Sequence, residues 1–131
     1  MIINLNRRTF LAGSITSLSA ASDRTRIAII GVRGRGRALA GDFLQVPSVE
    51  IAALVDVDQR SFTRAAKLIT DKTNKAATQH TDLRRVLDDK TIDAVVIATP
   101  DHWHGPASIL AAEAGKDVYV EKPCSHNLRE G

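Results

Sequence analysis

Apolar residues fall along this chain in short unbroken blocks, and between the blocks they recur at helical spacing. Ile27-Ala28-Ile29-Ile30 runs straight into Gly31. Val49-Glu50-Ile51-Ala52-Ala53-Leu54-Val55 repeats the pattern, as do Ile92 with residues 94–98 and Val118-Tyr119-Val120, while a weaker stretch around 76–79 marks a short further strand. Blocks without polar alternation suit strands buried on both faces, as in a parallel sheet. The intervals read as helices: Ala38, Leu39, Phe43 and Val46 within 37–46, then Phe62, Ala65, Ala66 and Ile69 within 59–72. Leu83, Val86 and Leu87 follow Thr81, a suitable N-cap, and Leu110, Ala111 and Ala114 follow Pro106 at a first-turn position. Gly115 stops that last helix. Strands alternating with helices predict right-handed crossovers and an α/β, doubly wound parallel sheet of order 3-2-1-4-5.

That order sorts the polar motifs by place. Ligands of such sheets bind beyond the carboxyl ends of the strands, where the first and fourth lie side by side. The turn Gly31-Val32-Arg33-Gly34-Arg35-Gly36, Asp56, Thr99-Pro100-Asp101-His102-Trp103-His104 and Glu121-Lys122-Pro123 all follow strand ends and share one rim. Backbone N–H groups at a strand–glycine turn–helix junction, helped by the helix dipole, suit a pyrophosphate. Gly31 and Gly36 take the first and last places of a G-x-G-x-x-G pattern; Arg33 holds the middle one and Gly34 offers the close backbone approach instead. Arg33, Arg35 and Arg37 add charge-assisted bonds to phosphate.

Asp56 lies 20 residues after Gly36, where a carboxylate accepts the ribose hydroxyls and repels a 2′-phosphate. NAD is therefore the expected cofactor, with NADP the alternative if Arg60 compensates. Thr99, Pro100 and His102 border the dinucleotide, and His104 stands on the nicotinamide side or else packs and caps the following helix. His102 and His104 lack a third ligand at suitable spacing, so no metal is expected. Lys122 is the candidate catalytic base, with His104 beside it: a lysine near a cationic nicotinamide can take a hydroxyl proton as hydride leaves the same carbon.

Composition narrows the partners. The 131 residues fit one domain, and 44% apolar with 25% charged residues is ordinary for a globular protein. Of the 18 basic residues Arg7 and Arg8 belong to a leader-like segment, leaving 16 against 15 acidic ones, so the formal +3 does not point to nucleic acid. Asn6-Arg7-Arg8-Thr9-Phe10-Leu11 resembles a twin-arginine export motif, followed by a weakly apolar run and small residues suited to cleavage after Ala21. Residues 1–21 are thus expected to be a signal segment and 22–131 the folded domain, exported to the periplasm without stable membrane insertion. Cys124 is the single cysteine and is expected to be a packed, inert thiol.

Together the glycine turn, Asp56-Val57-Asp58, Ala98-Thr99-Pro100-Asp101-His102-Trp103-His104 and Glu121-Lys122-Pro123 resemble the N-terminal half of the Gfo/Idh/MocA oxidoreductases. The resemblance covers residues 24–131 and implies a Rossmann-like domain, a nicotinamide cofactor and oxidation of a sugar, cyclitol or related polyol. It assigns Lys122 to substrate contact and proton relay, adds Glu121 to the cofactor-side motif, and makes Lys122-Pro123 a candidate cis peptide. Some relatives are glycosidases that oxidise a sugar transiently. Family members continue into a further strand and a substrate domain, so the expectation here is a truncated chain, incomplete at the C-terminal edge of its sheet. Such an edge invites association into a homo-oligomer.

Overall fold

The apolar blocks become five parallel strands in one sheet of order β3-β2-β1-β4-β5. The computed structural model describes residues 24–129; the expected export segment, residues 1–21, lies outside them. The strands are β1 (Thr25–Ile30), β2 (Val49–Val55), β3 (Thr78–His80), β4 (Ala94–Ile97) and β5 (Asp117–Val120). The helices are α1 (Gly34–Phe43), α2 (Phe62–Thr73), α3 (Arg84–Asp88) and α4 (His104–Glu113). Short 3-10 turns, Gln59–Ser61 and Asp101–Trp103, lead into α2 and α4.

Successive residues of β1 point to opposite faces and build two cores. Ile27 and Ile29 join Leu39 and Ala40 of α1 and Phe62, Ala65 and Ile69 of α2. Ala28 and Ile30 join Val86 and Leu87 of α3 and Ala107 and Ala111 of α4. Helices therefore cover both faces, which is why the central strands carry no polar alternation. β5 is the outermost strand beside β4 among the described residues, and Val118 and Tyr119 on it are exposed.

Differences from the periodicity reading are local. Ala40 rather than Ala38 faces inward, and α1 ends at Phe43 before Val46, which is 42% exposed. Asp82, not Thr81, accepts the Arg84 N–H at the start of α3, at 3.0 Å. A longer acidic side chain one residue on reaches the same orphan donors. Helix α4 begins at His104, ahead of Pro106, and Leu110 lies outside the core at 41% exposure.

Ile29 is fully buried at the centre of the sheet, whereas Ile109 on α4 is 54% exposed. Ile29→Ala is expected to destabilise the domain by about 2–5 kcal/mol, read as a lower urea midpoint. Ile109→Ala should stay within about 0.5 kcal/mol. Equal shifts would contradict this placement of the core.

Candidate functional site

Because every strand pair is parallel, the strand ends that carry the polar motifs open on one edge of the sheet. Asp56 at the end of β2 and Lys122 after β5 lie on that same edge, on either side of the glycine turn.

The turn from β1 into α1 is fixed by contact. Gly31 has φ +85°, and a Cβ there would lie 2.7 Å from the Ala98 carbonyl oxygen of the β4 end. A Cβ on Gly36 would lie 1.7 Å from the Gly31 carbonyl oxygen. Neither position admits a side chain, so α1 starts hard against the strand ends. Gly34 differs: a Cβ there would meet nothing within 4 Å. It opens α1, where the first N–H groups have no partner within the helix. That open backbone at a helix N-terminus fits a pyrophosphate.

Asp56 is oriented by backbone donors. Its carboxylate accepts the Val32 N–H at 3.1 Å and the Asp58 N–H at 2.9 Å, tying the end of β2 to the glycine turn. Beside it opens a cavity of about 710 Å³ lined by Gly31, Asp56, Thr99, Pro100 and His102 among others. The Thr99 hydroxyl is buried and has no hydrogen-bond partner among the described residues. A buried polar atom left unpaired next to a cavity is matched by a polar ligand. Concave shape, largely apolar walls and a few convergent polar groups fit an adenosine half-dinucleotide.

The same cavity gathers residues to which the sequence reading gave no place at the site: Val57, Thr81, Leu83, Arg84, Trp103 and Leu110. The signal was the strand order itself, since β3 beside β2 brings the loop after His80 to the rim. Trp103 is the chain's one tryptophan and is 46% exposed at this wall.

Other expected ligand residues are engaged elsewhere. The Arg33 guanidinium pairs with Asp58 and donates to the Ser61 hydroxyl at 3.0 Å, beside a cavity that Gly34 also lines. Arg35 donates to Glu121 through Nε at 2.9 Å and Nη2 at 2.8 Å. Both arginines therefore bind carboxylates of the protein, and Glu121 meets an arginine rather than open space. His102 is exposed beside Asp101, whose carboxylate also meets His126 Nδ1 at 3.2 Å. His104 is buried at 3% exposure, with Nδ1 2.6 Å from the Pro123 carbonyl oxygen and Nε2 2.8 Å from that of Thr99. Each ring nitrogen faces a carbonyl oxygen, and whichever carries the N–H donates to its partner, so the buried ring packs between the two loops. Lys122 is exposed, and the Lys122-Pro123 peptide is cis. Cys124 is free and exposed rather than packed, since it follows the strand end on the open rim loop.

Charge pairing shows in the carboxylates. Hydrogen bonds from the Arg60 side chain and backbone, with the Arg33 and Arg60 charges, hold Asp58 at about 2. Arg35 holds Glu121 below the usual carboxylate range, and His126 does the same for Asp101.

Residues 25–131 match a protein-family model described as an oxidoreductase family with an NAD-binding Rossmann fold. A glycosyl hydrolase family 109 protein of Saccharopolyspora erythraea is 34% identical over 114 residues, which are 84% of this chain and 25% of that protein. Among solved structures, GenD2 from gentamicin A biosynthesis, in complex with NAD, superposes with a TM-score of 0.74 at 30% identity, covering 86% of this chain and 30% of GenD2. Myo-inositol 2-dehydrogenase from Lactobacillus plantarum gives 0.67 at 27% identity, over 82% of this chain and 30% of that enzyme. The chain thus spans about a quarter of the length of the curated relative and under a third of each of these structures.

Asp58 yields a pH prediction. Its folded value, about 2, lies below the ordinary 3.8. A depressed carboxyl contributes stability in full above the unfolded value, and that contribution is lost as pH falls through the folded one. Asp58→Asn should therefore remove part of the stability lost between about pH 4 and about pH 2, followed as melting temperature against pH. An acid limb identical to the parent's would refute the pairing.

Proposed function

The chain belongs to the Gfo/Idh/MocA oxidoreductase family over its NAD-binding Rossmann fold, and from that premise we propose how its rim serves a sugar- or cyclitol-oxidising enzyme. The observation that carries the reading is the convergence of Gly31, the oriented Asp56 and the unpaired Thr99 hydroxyl on one cavity. Asp56 holds the adenosine ribose, and the backbone of residues 31–36 holds the pyrophosphate. Trp103, Leu83 and Pro100 wall the adenine. Thr99 closes the path toward the nicotinamide side, where Lys122 stands after β5.

Bound NAD supplies the hydride acceptor. Lys122 receives the proton of the substrate hydroxyl, or holds that hydroxyl in place while charged. The Asp56 carboxylate, at the ribose, favours NAD over NADP by repelling a 2′-phosphate. The substrate class, a sugar, cyclitol or related polyol, is supported by what the solved neighbour is named for, myo-inositol dehydrogenation. A second reading draws on the glycosyl hydrolase name of the curated relative. In it, the longer polypeptide carrying this domain oxidises a glycoside transiently, eliminates the aglycone and returns the hydride. Release of free sugar without net NADH separates that reading from a dehydrogenase. Export is also proposed, supported by Arg7 and Arg8 in their motif; Arg7→Lys with Arg8→Lys should retain the protein in the cytoplasm of a twin-arginine-competent host.

Titration calorimetry tests the cofactor site directly. The 131-residue chain should bind NAD, with quenching of Trp103 fluorescence. Asp56→Ala removes two charge-assisted ribose bonds and should weaken NAD by roughly tenfold or more, since such bonds are worth about 1.5–3 kcal/mol. A folded chain giving no heat with NAD or NADP would overturn the reading.

A further inference from the structure

Lys122 is exposed, yet both of its chain neighbours are tied to other loops of the rim. On one side, the Glu121 N–H donates to the Ile97 carbonyl at 2.9 Å, and the Glu121 carboxylate accepts Arg35 Nε at 2.9 Å and Nη2 at 2.8 Å. Arg35 stands in the first turn of α1, next to the open backbone at Gly34. On the other side, the Pro123 carbonyl lies 2.6 Å from Nδ1 of the buried His104. The far nitrogen of the same ring meets the Thr99 carbonyl at 2.8 Å. Thr99 also lines the cavity and holds a buried hydroxyl with no partner among the described residues.

We infer that Arg35 and His104 are positioning residues for Lys122, acting through Glu121 and Pro123. The inference rests on the reading of the rim as the dinucleotide site. A lysine carries its ammonium on a flexible stem of four carbons, so where it reaches depends on how firmly its backbone is held. Productive proton transfer tolerates displacements of only about 0.5 Å, so such support decides whether a catalytic group is useful. Here the two tethers come from opposite sides and end on different motifs. Arg35 references the lysine to the glycine turn and hence to the pyrophosphate. His104 references it to Thr99 and hence to the path toward the nicotinamide. The spacing between cofactor and lysine is thereby set by two hydrogen-bonded links rather than by contact of the lysine itself. Neither residue touches the reacting atoms.

Amine labelling of the whole chain tests this, with NAD as the probe and the exposed Lys90 as an internal reference read by peptide mass spectrometry. Saturating NAD should slow acetylation of Lys122 relative to Lys90 by roughly fivefold, as for an amine covered at a ligand site. In His104→Gln and, separately, in Arg35→Gln, that protection should fall below about twofold even when NAD is raised to the occupancy reached in the parent, which separates protection from affinity. Arg35 lies at the surface, so its variant reports even if the buried His104 variant fails to fold. A merely structural loosening would not separate affinity from protection in both. Full protection in a folded variant would overturn the inference for that tether. A parent chain that binds NAD without protecting Lys122 would overturn it entirely. Absence of NAD binding in the parent would instead bring down the reading of the rim, and this inference with it.

Discussion

The contact on which the rim depends is the one between the Gly31 carbonyl and the backbone of Gly36. A methyl group at Gly36 would stand 1.7 Å from that oxygen, so only glycine lets α1 begin directly over the end of β1. Gly31 in turn has φ +85° and lies against Ala98, just beyond β4. These approaches place the first turn of a helix at the junction of the two central strands, where a parallel sheet opens between its halves. Asp56 then closes the arrangement by bonding the Val32 N–H across from β2. Move either glycine and the start of α1, Asp56 and Thr99 lose the register that gathers them on one rim.

Much of this was legible because burial on both faces erases polar alternation. Ile27 to Ile30, Val49 to Val55 and residues 94–97 announce central strands by composition alone, and β2 has the bounds that its apolar run implies. The common rim followed from the strand order, and Asp56, Thr99 and Pro100 do line one cavity. What the periodicity could not tell was which side of a short helix faces in: Ala38 and Ala40 are equally apolar, and only packing on Ile29 distinguishes them. Capping was ambiguous for the same local reason, with Thr81 and Asp82 both able to accept a backbone N–H.

Side-chain pairing was the least legible layer. Arg33 and Arg35 sit where phosphate ligands are expected, and their sequence positions do not reveal that Asp58 and Glu121 are within reach. Those carboxylates come from other strand ends, 25 and 86 residues away in the chain. His104 is the sharper case. Its place after a rim strand suggests a catalytic group, but the start of α4 turns its ring into the protein, where two carbonyl oxygens receive it.

The pairing also explains why an arginine is tolerated in the middle of the glycine turn. A side chain directed over the first turn of α1 would fill the space that an anion needs. Arg33 instead pairs with Asp58 and Ser61 at the side of the cavity that Gly34 lines, and Arg35 pairs with Glu121. Exposed ion pairs of this kind add little stability, since solvent screens them and long side chains lose freedom in forming them. Their effect is geometric: they move two bulky cations off the helix N-terminus while keeping positive charge at its edge. The anion site is thus made by backbone and emptied by salt bridges, and the same Arg35–Glu121 link carries the position of the glycine turn across to Lys122.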